Sequence, residues 1–245
     1  MSERALFVYP GSQGLPSLSP PAAKVVLAVA RAQIPCEVVP IGPEQVKRYS
    51  PTGRVPALRD GAAVHVDSVR ILDHLETVPG ARALAPRDPL ERVRDRLWEH
   101  LANDTLYWCV VISRWLVPQN LERMLDGIAG EGPSLRRWAT RAIGARTARK
   151  RAEGQGMGLK PYAEVVADWR RGCAMAADAL GKGPFLEGRS EPGRGDLALA
   201  TLLSQVGWRD ATPELDAALR EHPPLREHAR RTYEACGKTP PAWLA

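Results

Sequence analysis

Residues 50–68 read SPTGRVPALRDGAAVHVDS, and their order describes a cradle for a small ligand. Pro51, Thr52 and Gly53 make a turn, and Val55-Pro56-Ala57-Leu58 is a short apolar run. Asp60-Gly61 is a hairpin dipeptide, and Ala63-Val64-His65-Val66 is a second run. Asp67-Ser68 then stands immediately before a helical pattern, where a side-chain oxygen accepts from free backbone N–H groups. A proline at the start of a strand has no N–H for the ladder, so the backbone of Val55 is left to pair with something other than a strand. Polar groups at a helix start beside an unpaired strand edge suit a peptide-like or carboxylate ligand.

Upstream of the cradle the order of elements is regular. Ala5–Tyr9 is a strand-like run. After a loop, Ser19-Pro20 opens a helix from Ala22 to about Gln33, a hydroxyl before a proline at the first helical position being a good start. Ile34-Pro35 ends that helix. Cys36–Ile41 is a second strand, which Pro40 marks as an edge, and a poor helix follows around Glu44–Tyr49. With a helix over Val69–Glu76 the order is β-α-β-α-β-β-α, that of a thioredoxin-like domain over residues 1–80.

Thr77–Pro89 is rich in proline, glycine and alanine and reads as a linker over about 77–88. From Leu90 the pattern turns helical, giving an all-helical domain over 88–245. Val93, Leu97, Leu101, Asp104, Trp108, Val111 and Trp115 fall on one stripe of a helix of roughly 30 residues, about 45 Å long, which Pro118 ends. A basic helix is expected over Ser134–Glu153 and a third over Tyr162–Leu180, followed by a helix through Leu197–Val206.

The cradle resembles that of the glutathione S-transferase superfamily, in which a cis-proline before strand three and an acidic-residue–serine pair at the next helix start hold glutathione. Val55, Pro56, Asp67 and Ser68 match those positions. The resemblance extends to Pro184-Phe185-Leu186-Glu187-Gly188 and to Asp196, the carboxylate of a helix capping box whose hydroxyl position is Gly193. Asp196 is accordingly read as structural. Tyr107-Trp108, Arg114-Trp115 and Gln155-Gly156-Met157-Gly158 resemble the branch related to failed-axon-connections and metaxin proteins. The resemblance implies glutathione as co-substrate, no metal, and a homodimer.

A glutathione transferase holds the thiol as thiolate, the reactive form of a group whose free pKa is near 8.5. Ser19 is the first candidate for the hydroxyl donor: Ser19-Pro20-Pro21-Ala22-Ala23-Lys24-Val25 fits the family's Ser/Cys-Pro-x-x-x-Lys/Arg-Val register. Ser17 and Ser12 are alternatives. Tyr9, inside the first strand run, is discounted. Tyr107, Trp108 and Trp115, with Asp104 on the same stripe, are candidates for a second-substrate pocket, though such residues also serve as plain core. A carboxylate on an apolar stripe needs a partner, and Arg114 is the cation at hand. Two readings follow: an enzyme joining glutathione to small electrophiles, or a non-catalytic binding or scaffold module that keeps the fold.

Composition bounds the rest. At 245 residues, 44% hydrophobic and 25% charged, the chain reads as an ordinary globular protein with ample core. No run of 18 apolar residues predicts a membrane span. MSERALFVYPG lacks a secretory pattern, so a cytoplasmic location is expected. Cys36, Cys109, Cys173 and Cys236 are scattered and read as small buried hydrophobes. The net charge of +6 is concentrated in Arg136, Arg137, Arg141, Arg146, Arg149, Lys150 and Arg151. Without interleaved aromatics that run reads as a solvated helix face rather than a nucleic-acid platform.

Overall fold

The computed structural model describes residues 3–244. Its first element, β1 (Arg4–Val8), feeds helix α1 (Pro20–Ala32) and returns as β2 (Glu37–Pro40). A single short turn of helix, α2 (Val46–Tyr49), leads to the hairpin β3 (Ala57–Asp60) and β4 (Ala63–Val66), then helix α3 (Ser68–Leu75). The strands form one mixed sheet in the order β2-β1-β3-β4, with β1 parallel to β2 and antiparallel to β3, and β3 antiparallel to β4. This is the expected thioredoxin-like arrangement.

Alternation sorts the strands into two faces. Leu6, Val8 and Leu58 pack with Val25, Val26, Ile71, Leu72 and Leu75 of α1 and α3. Ala5, Phe7 and Ala57 point the other way, against Ile41 and Val46. Register places Phe7, Ala57 and Val66 in one row. The chain leaving β1, the chain entering β3 and the chain leaving β4 therefore emerge from the same edge of the sheet. That edge is where Ser19, Val55 and Asp67-Ser68 are delivered.

The remainder is helical. A long helix comprises α4 (Pro89–Leu101), a wider π-helical turn over Ala102–Leu106, and α5 (Tyr107–Leu116). It is followed by α6 (Pro118–Ala129), α7 (Leu135–Ala139), a second π-helical stretch over Thr140–Ala145, and α8 (Arg146–Gln155). Then come α9 (Tyr162–Leu180), α10 (Arg194–Val206), α11 (Pro213–Arg220) and α12 (Pro223–Ala235). Trp169 of α9 lies at the centre of this core, its indole N–H donating to Leu215 O at 3.0 Å. The two domains also share a core, because Leu197, Tyr233 and Cys236 pack into the cluster beneath the sheet. Pro118 both closes α5 and opens α6, since its missing N–H is harmless at a first helical position.

The long helix is correctly located, but the face it buries differs from the expected stripe. Val93 and Leu97 are 55% and 63% exposed, whereas Asp95 and Glu99 are buried. Asp104 points outward, 70% exposed, and its carboxylate meets His100 at 3.2 Å. The physical reason is a set of cations arriving from other elements. Glu99 takes Lys24 Nζ at 2.9 Å and Arg194 Nε at 2.9 Å, and Asp95 takes Arg189 Nη2 at 2.8 Å. Burial pushes the Glu99 carboxyl up, but the charges of Lys24 and Arg194 outweigh it and hold the group below its ordinary value. Paired carboxylates can be interior where lone ones cannot, and the apolar residues of α4 are left on the outer side.

Asp95 also accounts for the glycine in the capping box. Its carboxylate accepts from Arg194 N at 2.9 Å and Gly195 N at 3.0 Å, so α10 is capped by a residue of another helix. A Cβ at Gly193 would lie 2.3 Å from Asp95 Oδ1. Asp196 completes the arrangement as a purely interior group, accepting from Gly193 N, Leu186 N and Arg189, with His228 Nε2 at 2.8 Å.

Candidate functional site

The peptide bond Val55–Pro56 is cis. Both ladders of β3 begin at Ala57, and the half-buried Val55 has no backbone hydrogen bond among the described residues. The loop before it is shaped by Ser50, whose carbonyl accepts from Gly53 N at 3.0 Å and whose hydroxyl meets Thr52 Oγ1 at 3.0 Å. Gly53, at φ 64°, supplies the left-handed turn that a side chain would resist.

Across the edge, Asp67 sits at φ 72°, a conformation that costs energy in a residue with a Cβ and marks sites under constraint. Its Oδ1 caps α3, accepting from Val69 N at 2.9 Å and Arg70 N at 3.3 Å. The carboxylate is exposed, so Oδ2 remains available to a ligand. Ser68 is buried, and its hydroxyl makes no bond within the described chain. The start of α3 is also gripped from the helical domain: Arg194 Nη2 donates to Val69 O at 2.9 Å, and Nη1 pairs with Asp73 at 2.6 Å.

Of the three serines considered for the thiol, the structure separates their roles. Ser17 is buried; its Oγ accepts from Ser19 N at 3.2 Å, and its carbonyl accepts from Gln205 Nε2 at 2.7 Å. Ser12 lies in the loop before α1, where its backbone bridges to Leu15 and its half-buried hydroxyl has no partner among the described residues. Ser19 occupies the N-cap position of α1, yet its side chain makes no capping bond. Its hydroxyl is half-buried and has no partner among the described residues, and the helix start beside it carries prolines, which lack an N–H, at its first two positions. Tyr9 lies just beyond β1 rather than within it and packs, with Val55, against the Phe7–Ala57 cluster. Burial raises its phenol, only partly offset by Arg151, so Tyr9 is a second protonated hydroxyl at this edge.

The interdomain cleft is lined by Pro20, Pro21 and Lys24 of α1, Asn103 and Tyr107 of the long helix, and Thr201 of α10. It is nearly closed, with room of about 10 Å³, enough for a single water. The π-helical turn lies at this point and brings Asn103 to within 3.3 Å of Lys24 Nζ. Of Asp104, Tyr107, Trp108 and Trp115, Tyr107 lines this cavity. Trp108 touches Tyr107 edge-on at 5.2 Å and packs on the helical core. Trp115 belongs to a separate cluster with Leu15, Leu121 and Trp208. Asp104 faces solvent with its backbone carbonyl held by Gln155. Nor does Arg114 meet Asp104: it is buried and donates to Gln205 Oε1 at 2.7 Å, burial lowering it to about 10. Sequence reasoning missed Asn103 and the role of Lys24. The one available signal was a lysine in the middle of the otherwise apolar stretch Ala22–Ala30.

Three cysteines are buried, and burial pushes Cys109, Cys173 and Cys236 up to about 12. Cys36 is half-buried and raised to about 11 for the same reason. None of these thiols is an enzymatic thiolate near neutral pH. Among the described residues no group of three or more His, Cys, Asp or Glu is disposed to hold a metal ion. None of the described helices is long and apolar enough to cross a membrane.

Comparison with known proteins agrees with this geometry. Residues 17–83 match the family described as glutathione S-transferase, N-terminal domain. A stretch of 71 residues is 34% identical to Protein LigF of Sphingobium sp. strain SYK-6, spanning only 28% of this chain and 28% of that protein. The structure of beta-etherase LigF from the same strain superimposes with a TM-score of 0.60 at 18% identity, over 94% of this chain and 99% of that one. A glutathione S-transferase of Methylobacterium radiotolerans, in complex with glutathione sulfonate, gives 0.61 at 23% identity, over 98% and 95%. A possible glutathione S-transferase of Rhodopseudomonas palustris gives 0.62 at 17% identity, over 99% of both chains. Residues 17–83 thus resemble a glutathione S-transferase N-terminal domain, and the chain as a whole has the glutathione-transferase fold.

Proposed function

We propose that the protein is a glutathione transferase. The cysteinyl backbone of glutathione pairs with Val55, and its γ-glutamyl end docks on Asp67, Ser68 and the N-terminus of α3. The observation that carries this reading is the convergence, on one sheet edge, of an unpaired Val55 backbone, an unbonded Ser68 hydroxyl and a positive-φ Asp67. In the reaction the thiolate attacks an electrophilic carbon of a small second substrate. A C–S bond forms, and the displaced group leaves with its bonding electrons or, in an addition, the carbanion is protonated. The neighbour named beta-etherase makes ethers a sensible first class of electrophile. Retention on immobilised glutathione tests the cradle without knowledge of the second substrate.

Ser19 is the residue assigned to the sulfur. A hydrogen bond to a charged group contributes roughly 1.5–3 kcal/mol, hence about one to two pKa units. Ser19→Ala is expected to raise the pKa of the bound thiol by that amount and to slow conjugation at neutral pH about tenfold or more, with binding retained. Ultraviolet titration of the bound thiolate measures it. A wild-type complex whose thiol titrates as in free solution sinks the enzyme reading. A low pKa in both proteins moves the role to another hydroxyl, Tyr9 first.

One observation favours a non-catalytic binding or scaffold role instead: the cleft is too closed for a substrate unless α1 and the long helix part. The resemblance of Tyr107-Trp108 and Gln155–Gly158 to metaxin-like proteins points the same way, while the named structural neighbours point to bacterial transferases.

We further propose a cytoplasmic homodimer. Leu90, Val93 and Leu97 form an exposed apolar stripe along α4, at the spacing of one helix face, and such a stripe suits burial against a second copy. Sedimentation of wild type and Leu97→Glu is expected to show a dimer and a monomer respectively; a monomeric wild type rejects it. The four free thiols suit a reducing compartment.

A further inference from the structure

The segment from α7 to α8 presents two kinds of side chain that an ordinary solvated face does not combine. Leu135, Trp138 and Ile143 are 81%, 65% and 67% exposed, and no hydrophobic cluster includes them. The same segment has no acid between Glu131 and Glu153. Its cations divide into two sets. Arg137 and Arg141 turn inward onto α6, where Arg137 reaches Glu122 at 2.6 Å and Arg141 also pairs with Glu122. Arg149 has Glu153 at 3.8 Å. Arg136, Arg146, Lys150 and Arg151 are exposed and make no ion pair among the described residues. With Arg137 and Arg141 turned onto α6, the exposed Leu135, Arg136, Trp138, Ile143, Arg146 and Lys150 are left on the outer side of one continuous helical segment.

We propose that this face docks on the surface of an anionic lipid bilayer. The match is one of charge and phase. Free arginines and lysine are attracted by an anionic leaflet within a Debye length. Leu, Ile and Trp beside them suit the head-group and acyl boundary, where an amphipathic helix lies in the plane of the interface. A nucleic acid would satisfy the cations but has no use for exposed Leu135 and Ile143, and a single tryptophan is no stacking platform. An acidic protein would need to bring a groove of its own for three separate apolar side chains, whereas a bilayer surrounds each of them. Docking through this face requires no membrane-spanning helix.

The test is flotation of the intact protein with vesicles of phosphatidylglycerol and phosphatidylcholine, against vesicles of phosphatidylcholine alone. The wild type is expected to float with the anionic vesicles, and to be released by high salt. Each free cation near the surface contributes about fivefold, so Arg136→Glu/Arg146→Glu/Lys150→Glu is expected to lower partitioning by roughly a hundredfold or more. Trp138→Ser should weaken it with the charge unchanged, and circular dichroism would show that both variants remain folded. Absence of binding to anionic vesicles at low salt overturns the proposal, as does binding that the variants leave unchanged. Binding to polyglutamate or to duplex DNA with vesicles untouched would assign the face to an acidic macromolecule. A wild-type dimer broken by Trp138→Ser, again without vesicle binding, would assign it to a second copy.

Discussion

Arg194→Ala is expected to destabilise the protein by about 3–5 kcal/mol, the usual loss when one partner of a buried ionic group is removed. Arg194 is fully buried, and its guanidinium joins Glu99 of α4 to Asp73 and Val69 O of α3. Without it, Glu99 keeps Lys24 and the half-exposed Arg96, and the carbonyl of Val69 loses the donor that reaches it from the helical domain. Urea unfolding with an unchanged m-value gives the stability difference directly. Arg220→Ala is the companion measurement, because Arg220 is on the solvent side of Asp216 at 2.7 Å and the buried Asp216 keeps Arg226 at 3.1 Å when it is removed. Its loss should cost under about 1 kcal/mol. Equal effects for the two arginines would mean that the interior cluster has no special weight.

The cradle gives the second large effect. Ser68→Ala and Asp67→Ala should each weaken glutathione binding roughly ten- to hundredfold, the loss of about 1.5–3 kcal/mol for a charge-assisted hydrogen bond. The structure allows this to be separated from folding. The Ser68 hydroxyl has no partner among the described residues, so its removal leaves none of them unpaired. Asp67 is also the cap of α3, and alanine there forfeits the cap, typically about 1 kcal/mol. Asp67→Asn keeps a capping oxygen and tolerates positive φ while removing the charge. Calorimetric titration of all three against wild type decides the matter. Unchanged affinity in Asp67→Asn and Ser68→Ala would reduce the pair to a helix start and remove the basis for glutathione as ligand.

Much of the fold was legible because the elements of the first domain are punctuated locally. Pro20 opens α1, Pro40 marks the edge strand β2, and Asp60-Gly61 turns the hairpin; each acts through its own backbone geometry. The span Tyr162–Leu180 was read to the residue, since its apolar period does coincide with its buried face. The long helix shows where such reading fails. Leu90, Val93 and Leu97 have the right spacing and residue type for a core stripe, yet they are on the outside. Burial there was decided by Arg189, Arg194 and Lys24, which are 94, 95 and 75 positions from the carboxylates they meet. Nothing in the local pattern distinguishes an acid that will have such a partner from one that will face water. Gly193, a defect in the capping box as read along the chain, proved to be the space that Asp95 occupies.

By itself the sequence determined the order of elements, the thioredoxin-like and helical halves, and the positions of Val55, Pro56, Asp67 and Ser68 at the start of β3 and the start of α3. These depend on turn chemistry, caps and alternation, which act over a few residues. The tertiary structure alone decided that Ser19, not Ser17, has a free hydroxyl, that Tyr107 lines the cleft while Trp108, Trp115 and Asp104 do not, and that the cleft is nearly shut. Those outcomes depend on Gln205 reaching back to Ser17, on cations crossing from α1 and α10 to α4, and on a π-helical turn that brings Asn103 to Lys24. Such contacts join residues far apart in the chain, and their energies are set by burial and pairing that exist only once the two domains are packed together.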